Sequence, residues 1–150
     1  QFMPSTMKNY AIDFDKNNLI DLKNNHDAYA SAANYLNKIG WKDNEPCFYK
    51  IELSNEIPKK YLNVSAKKLH DKKKLKYFRK YISNENLLDQ KFNDLTTSII
   101  TPDKDIIPDA ENLSPAYIVF DNYEIILKWN RSLRFSLAVC TLKEKFKNEL

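Results

Sequence analysis

The 150-residue sequence has a single glycine and no long apolar run, and both shortages limit what the chain can be. With only Gly40, turns that need a positive φ fall largely to asparagine, the next most tolerant residue, which is abundant here. No stretch approaches the roughly 18 consecutive apolar residues of a transmembrane helix, and no signal peptide opens the chain. We therefore expect no transmembrane segment and no targeting signal in these residues.

Cysteine and histidine are also scarce, which leaves few candidates for soft-metal or nucleophilic chemistry. Cys47 and Cys140 lie far apart with no further Cys or His at metal-binding spacing. A disulfide and two buried free thiols are both compatible with this spacing, and we expect the free thiols. His26 and His70 belong to no arrangement that spacing identifies as a catalytic triad, so we expect both at the surface.

Apolar residues make up 43% of the chain and aromatics 13%, so an ordered core is expected. The lysine-rich run "AKKLHDKKKLKYFRK" could bind phosphates through its charge and stack bases on its aromatic rings. It could equally be a solvated helix face. Because 24 basic residues are nearly balanced by 20 acidic ones, we favour the solvated face and expect no nucleic-acid partner.

The chain divides into three predicted segments with an α+β composition. Residues 1–44 contain an acidic loop followed by a helix, with Asp27 as its N-cap and Gly40 as the left-handed residue that ends it. Residues 45–115 form a small α+β insertion. Residues 116–150 return to strong signals, a buried strand "AYIVF" followed by two helices.

The middle segment alternates between strand and helix signals. "CFYKIEL" is typical of a strand, and "LHDKKKLKYFRKYI" of a short helix with Leu75, Phe78 and Ile82 on one face. "SIITPDKDIIPDA" indicates two short extended pieces interrupted by Pro102 and Pro108. In the last segment, Ser132 is the expected N-cap of the closing helix, which carries one apolar face.

The acidic loop "DFDKNNLIDLKNNHD" follows the spacing of an EF-hand calcium loop. Asp13, Asp15 and Asn17 fill the first, third and fifth positions, and Leu19 would offer its backbone carbonyl at the seventh. Asn18 replaces the usual glycine at the sixth position, where a left-handed asparagine is tolerated. Carboxylates and an amide suit a hard cation that takes roughly 6 to 8 oxygen ligands.

Two later positions of the loop decide how far the template holds. Asp21 stands at the ninth position, but the twelfth is Asn24 instead of the bidentate glutamate. Asp27, three residues later, could supply the missing carboxylate if the loop is longer. On spacing alone, a calcium loop and an acidic turn followed by an N-capping aspartate both remain open.

Several linked motifs together resemble the lytic murein transglycosylase B family. "QFMPST", the acidic loop and "HDAYASAANYLNKIGW" occur in the family's order, and "AYIVFDNYEIILKWNRSLRFSLAV" is similar to its closing stretch. The resemblance covers residues 1–46 and 109–142 and is weak between them. It implies the distal part of a lysozyme-like helical core, with an EF-hand-like loop and a small sheet-containing insertion.

The resemblance also implies an activity. Family members cleave the β-1,4 bond between N-acetylmuramic acid and N-acetylglucosamine in peptidoglycan and leave a 1,6-anhydro sugar. One glutamate acts first as general acid and then as base. It lies in an "ES-x-x-G"-like motif before the "QFMPS" segment, and no glutamate in this sequence matches that motif. We therefore expect a C-terminal part of the catalytic region, inactive by itself, with no catalytic residue of its own.

The resemblance assigns candidate site residues as well. Carried over from the family's calcium loop, the ligands of a structural Ca²⁺ would be Asp13, Asp15, Asn17, the carbonyl of Leu19, and Asp27. The residues expected to face the glycan are Gln1, Met3, Tyr35, Trp129, Asn130 and Phe135. Trp129 and Phe135 replace tyrosines that are usual in the family, so an aromatic face remains in both places while two hydroxyl donors are lost.

The expected partner is a peptidoglycan glycan strand, and the expected location is the bacterial periplasm or outer membrane, with the protein a monomer. Two alternatives remain open. The chain could be a non-catalytic, calcium-stabilised peptidoglycan-binding module, or a calcium-binding interaction domain that never contacts sugar. Activity on peptidoglycan separates the first hypothesis from both alternatives, and glycan binding separates the alternatives from each other.

Overall fold

The computed structural model describes residues 3–103 and 114–149, and the chain divides into two compact units. Unit 1 is Gln1–Asp43 and unit 2 is Asn44–Leu150. Unit 1 is helical, and unit 2 combines a sheet with helices. This content confirms the predicted α+β class. No helix in the described ranges is long and apolar enough to cross a membrane.

Unit 1 consists of helix α1 (Pro4–Tyr10), the acidic loop and helix α2 (Asn25–Lys38). The predicted N-cap of α2 was wrong. Asn24 caps the helix, because its side-chain oxygen accepts a hydrogen bond from the backbone N–H of His26 at 2.9 Å. Asp27 lies inside the first turn, with its side chain fully buried.

Helix α2 ends where the glycine predicts. Gly40 has φ 109°, a conformation that a Cβ atom disfavours. Its N–H donates to the carbonyl of Asn37, and the N–H of Trp41 donates to the carbonyl of Leu36, both at 3.0 Å. These two bonds are the Schellman pattern, so the predicted left-handed end of the helix is confirmed.

Unit 2 is built on a five-stranded sheet. Its strands are β1 (Phe48–Ile51), β2 (Leu62–Asn63), β3 (Lys73–Lys74), β4 (Thr96–Ile100) and β5 (Ala116–Val119). The spatial order is β1-β5-β4-β2, and β3 pairs with β4 off this path. The pairs of β1 with β5, β5 with β4 and β3 with β4 are antiparallel, whereas β2 with β4 is parallel.

The core of unit 2 lies against this sheet. Helix α3 (Leu75–Phe78) continues into a 3₁₀ turn, Arg79–Tyr81, and the three predicted apolar positions, Leu75, Phe78 and Ile82, are all buried. They pack in one cluster with buried residues of the strands. The predicted extended piece around Pro108 falls outside the described residues.

Two helices follow the sheet, α4 (Asp121–Trp129) and α5 (Leu133–Glu149). The hydroxyl of Ser132 accepts a hydrogen bond from the N–H of Phe135 at 3.2 Å, which confirms its predicted capping role. The buried phenol of Tyr123 donates to the carbonyl of Leu133 at 2.7 Å. This bond fixes the first turn of α5 to the first turn of α4.

Cys47 and Cys140 form a disulfide, so the expectation of two free thiols was wrong. Cys47 directly precedes β1, and the N–H of Phe120, at the end of β5, donates to its carbonyl at 2.9 Å. Because β5 leads through α4 into α5, the fold brings Cys140 within 5.9 Å of Cys47 between Cα atoms. Tertiary structure creates this proximity, which spacing in the sequence does not encode.

The predicted division into segments 1–44, 45–115 and 116–150 remains a proposal about domains. Strand β5, which that division places in the third segment, lies between β1 and β4 in the sheet of the second. In unit 2, the sheet therefore includes strands from both predicted segments.

Candidate functional site

The acidic loop of unit 1 is organised by its own side chains. The carboxylate of Asp13 accepts hydrogen bonds from the N–H groups of Asn17 at 3.1 Å and Asn18 at 2.8 Å. Asn18 has φ 69°, as expected of the residue at the sixth template position, and Lys16 has φ 60°. The loop therefore curls around the Asp13 carboxylate.

Asp15 and Asn17, the next two predicted ligands, also accept hydrogen bonds from the backbone of the loop. The Asp15 carboxylate accepts from the N–H of Asn17 at 3.2 Å, and the side-chain oxygen of Asn17 accepts from the N–H of Leu19 at 2.8 Å. Each of these oxygens has a further lone pair that could bind a cation. Hydrogen bonds from the loop backbone thus hold these side chains in place without a bound ion.

Asp27 closes the loop from the first turn of α2. Its two oxygens accept hydrogen bonds from the N–H groups of Phe14 and Asp21, each at 2.9 Å. The bonds from Asp21 and Phe14 lower the pKa of the Asp27 carboxyl below its ordinary value, because they favour the ionised form, and burial opposes them only in part. A buried carboxylate is therefore held charged at neutral pH.

Three predicted ligands converge. One carboxylate oxygen each from Asp13, Asp15 and Asp27 lies within 4.8 Å of the other two. Oxygens at this separation can share one cation with a metal–oxygen distance of about 2.3–2.6 Å. This donor set of three carboxylates fits a hard cation such as Ca²⁺.

Two other template positions do not join this group in the described part of the chain. The Asp21 carboxylate accepts from the N–H of Lys23 at 2.9 Å. The amide nitrogen of Asn24 donates to Asp15 at 3.2 Å, while its oxygen caps α2. The twelfth template position therefore presents a donor to the cluster in place of the template's glutamate, and the third carboxylate of the cluster is that of Asp27.

Sequence reasoning missed two residues that hold this loop on α2. The buried hydroxyl of Ser31 accepts from the N–H of Ile12 at 3.0 Å, and the amide of Asn34 donates to the carbonyl of Tyr10 at 2.8 Å. Asp27, Ser31 and Asn34 are spaced by four and three residues, so they share one face of the helix. This polar stripe is the pattern in the sequence from which Ser31 and Asn34 could have been predicted.

The predicted glycan-facing residues of unit 1 differ in exposure. Met3 precedes α1 and is 67% exposed. Tyr35 lies on α2, half-buried, with its ring edge-on to Tyr10 at 5.0 Å between centroids. Gln1 lies outside the described residues.

The predicted glycan-facing residues of unit 2 lie where α4 ends and α5 begins. Trp129 is the last residue of α4 and is half-buried, and Asn130 is exposed. Phe135, in the first turn of α5, is 38% exposed. The structure therefore places Trp129 and Phe135 on either side of the connection between the two helices, with Asn130 at its start.

Comparison with known proteins decides the family. The model of the family described as Transglycosylase SLT domain matches residues 1–144. This chain belongs to that family. A search of curated proteins found no match. The match confirms the transglycosylase resemblance, and it includes the middle of the chain, where sequence motifs were weak.

Solved structures of lytic transglycosylases have the same fold as this SLT domain chain. SltB3 from Pseudomonas aeruginosa, in complex with NAG-anhNAM-pentapeptide, is 29% identical with a TM-score of 0.81 over 98% of this chain and 37% of its own. SltB1 from the same organism is 24% identical, with a TM-score of 0.70 over 95% of this chain and 43% of its own.

A third structure is Slt35 from Escherichia coli in complex with calcium, which is 22% identical with a TM-score of 0.67. The alignment covers 96% of this chain and 41% of Slt35. The SLT domain chain therefore spans about two fifths of the length of the transglycosylases it matches. The predicted lysozyme-like transglycosylase fold is confirmed by these similarities.

Proposed function

We propose that this chain is part of a peptidoglycan lytic transglycosylase that cleaves the β-1,4 bond between N-acetylmuramic acid and N-acetylglucosamine. The observation that carries the proposal is the 29% identity, over 98% of the chain, to SltB3 in complex with NAG-anhNAM-pentapeptide. SltB3 is also known in complex with NAG-NAM-pentapeptide. The two ligands correspond to an anhydro product and to the unit from which it would form.

The reaction requires no external nucleophile. A general acid protonates the leaving oxygen, and the C6 hydroxyl of the muramic acid residue then attacks C1 while the same group, now a base, takes its proton. One glycosidic bond breaks and one 1,6-anhydro bond forms. Because no Glu-Ser pair occurs in residues 1–150, we assign no catalytic residue in them. Their part is to bind glycan and support the site.

The test is product analysis on purified peptidoglycan. The coding sequence upstream of Gln1 would be determined, and the protein extended through any in-frame "ES-x-x-G"-like motif. We expect muropeptides from the extended protein to lack one water relative to hydrolase products, as mass spectrometry would show. Ordinary hydrolysis products would contradict the proposal.

The second candidate is a non-catalytic, calcium-stabilised peptidoglycan-binding module. This function needs no general acid, and residues 1–150 contain no "ES-x-x-G"-like glutamate. An extended reading frame without such a glutamate, together with cosedimentation of the protein with insoluble peptidoglycan, would favour this candidate over the enzyme.

We further propose that Asp13, Asp15, Asn17, the Leu19 carbonyl and Asp27 hold one Ca²⁺. Support comes from the three carboxylate oxygens within 4.8 Å of one another and from the calcium complex of the structurally similar Slt35. When bound, the ion would neutralise charges that otherwise repel. The residues themselves shape the loop through their hydrogen bonds to its backbone.

Calcium should raise the stability of the wild-type chain by about 2.7 kcal/mol at 100 times the dissociation constant. Asp15→Asn should weaken calcium binding strongly because it removes a converging carboxylate. Asp21→Asn is the matched control, since the Asp21 carboxylate bonds to the N–H of Lys23 outside the cluster. Melting temperatures with calcium and with chelator measure both effects. Equal melting temperatures for the wild type with calcium and with chelator would refute the proposed calcium site.

Trp129 is proposed to stack on a sugar ring. Trp129→Ala should weaken glycan binding or turnover in the extended protein roughly three- to tenfold, as expected from the loss of an aromatic face. Trp129→Tyr introduces the residue usual in the family and should keep most of the activity. Steady-state kinetics of the two variants would distinguish them, and an unchanged Ala variant would refute the assignment.

We propose a periplasmic or outer-membrane location in a bacterium. The Cys47–Cys140 disulfide supports an oxidising compartment, because cytosolic thiols are generally kept reduced. Peptidoglycan as substrate requires the same side of the inner membrane. Fractionation of cells with an antibody to the protein would test this location.

A further inference from the structure

Unit 2 contains a cavity of about 340 Å³ whose lining is strongly basic. Five of its lining side chains are basic, namely Lys67, Lys68, Lys72, Lys128 and Arg131, and one, Glu124, is acidic. The surplus of four positive charges equals the net charge of the entire chain, +4. Outside this cavity, the formal charges of the chain balance. The nearly balanced charge composition of the chain therefore includes a local surplus of positive charge in this cavity.

The walls of this basic cavity are held in place by packing and by one ion pair. Leu69 is 4% exposed and Leu127 is 7% exposed, so the lining includes well-packed apolar side chains. The Nζ of Lys72 lies 2.6 Å from the carboxylate of Glu124, which joins the loop that follows β2 to helix α4. The acidic side chain of the lining is therefore already paired.

The four other basic side chains of the lining could pair with the negative charge of a ligand. Within the described residues, Lys67, Lys68, Lys128 and Arg131 form no ion pair with a carboxylate of the chain. Like charges placed together repel one another, and an anion in the cavity would relieve that repulsion. The preferred ligand is therefore small, negatively charged and compatible with an apolar wall.

The basic cavity shares the end of α4 with the predicted glycan-facing residues of unit 2. Lys128 and Arg131 both line it, and they flank Trp129 and Asn130 in the chain. A ligand that contacts the end of α4 through its sugar could therefore place a neighbouring substituent in the cavity. This proximity along the chain favours a substituent of the glycan over an unrelated anion as the ligand.

We propose that the basic cavity binds the carboxylates of the peptide carried by the peptidoglycan strand. This inference rests on the proposed function. The sugar backbone is neutral once the lactyl group of muramic acid is joined to the peptide by an amide, so the peptide carries the negative charge. A peptide also has apolar side chains that suit Leu69 and Leu127, and the cavity volume is in the range of small-ligand sites.

A nucleic acid fits the basic cavity less well. Single strands bind through basic grooves combined with aromatic rings on which bases stack. The described lining of this cavity contains no aromatic side chain on which a base could stack. A carboxylate-bearing peptide needs neither an aromatic platform nor a continuous groove.

The test compares two ligands and two matched double variants of the 150-residue chain. Calorimetry would measure binding of NAG-NAM-pentapeptide and of NAG-NAM whose lactyl carboxyl is capped as a neutral amide, at low and high ionic strength. The test variant carries Lys67→Gln and Lys68→Gln. The control carries Lys59→Gln and Lys60→Gln, another adjacent exposed pair, which lies outside the cavity lining and gives the same net charge.

We expect the wild type and the control to bind the pentapeptide ligand roughly tenfold more tightly than the neutral one, with the difference reduced by salt. The test variant should lose most of that difference while its circular dichroism stays unchanged. Equal affinity of the wild type for both ligands would overturn this inference, and so would equal weakening in the two double variants.

The outcomes also distinguish this inference from the proposed function. Release of anhydro products by the extended protein, together with equal binding of both ligands, would leave the enzyme assignment standing and remove the peptide subsite. Absence of binding to either ligand would overturn the subsite and weaken the glycan-binding role as well. Binding of an oligonucleotide more tightly than the pentapeptide, lost in the test variant, would assign the cavity to nucleic acid instead.

Discussion

Asp27 shows how one side chain can organise a loop from a helix. It was predicted both as a helix cap and as a late metal ligand, and the structure supports only a position compatible with the second. Asn24 takes the capping role, which leaves the Asp27 carboxylate to accept the N–H groups of Phe14 and Asp21. Capping preferences of asparagine and aspartate are similar, so sequence alone could not choose between them.

The lowered pKa of Asp27 predicts acid sensitivity of unit 1. Its folded-state pKa lies below the ordinary value of 3.8, so the ionised form contributes stability that is fully present above that value. This stability is lost as pH falls through the folded-state pKa. The free energy of opening of α2, obtained from amide hydrogen exchange after correction for the intrinsic pH dependence of exchange, should therefore stay constant near neutral pH and fall below about pH 4.

Asp27→Asn should accelerate the same exchange already at neutral pH, because an amide offers one acceptor oxygen to two backbone donors. The free energy of opening of this variant should then depend less on acid. Asp43→Asn, an exposed aspartate of the same unit, is the control and should follow the wild type. An Asp27→Asn profile that overlays the wild type would show that these hydrogen bonds contribute nothing.

Helix α2 was predictable because its signals are local. A polar cap, small residues at helical spacing and one glycine define its ends within a few residues. Strands β1, β4 and β5 were also visible as aromatic or β-branched runs. By contrast, β2 and β3 have only two residues each, Leu62–Asn63 and Lys73–Lys74, and both exist because β4 provides a partner.

Gly40→Ala tests the end of α2. Because φ at this position is 109°, alanine should lower the free energy of unfolding by about 1–2 kcal/mol. Lys38→Ala, in the last turn of the same helix, should have little effect, since its backbone is helical and its side chain exposed. Urea denaturation followed by circular dichroism would compare the two, and equal stabilities would argue against the Schellman end.

The candidate metal site was largely encoded in spacing, whereas the basic cavity was not. Asp13, Asp15 and Asn17 belong to one continuous segment, so a template could identify them. The cavity combines residues 66–72 with residues 124–131, and only folding brings these segments together. The disulfide belongs to the same class of feature, because its two cysteines are separated by 93 residues.

The disulfide should contribute strongly to the stability of unit 2. Closing a loop of this length restricts the unfolded chain, and its loss is expected to cost about 2–5 kcal/mol. A variant with both Cys47→Ser and Cys140→Ser, measured by urea denaturation, should match reduced wild-type protein. Titration of two free thiols in unreduced, denatured protein would contradict the bond itself.

The same bond changes how the chain responds to proteases. Cys47 and Cys140 enclose all five strands and helix α4, so any single backbone cut between them leaves two fragments joined through sulfur. A nicked molecule would migrate as one species on a non-reducing gel and as two after reduction. Such a molecule could lose a peptide bond to a protease and still keep its pieces together.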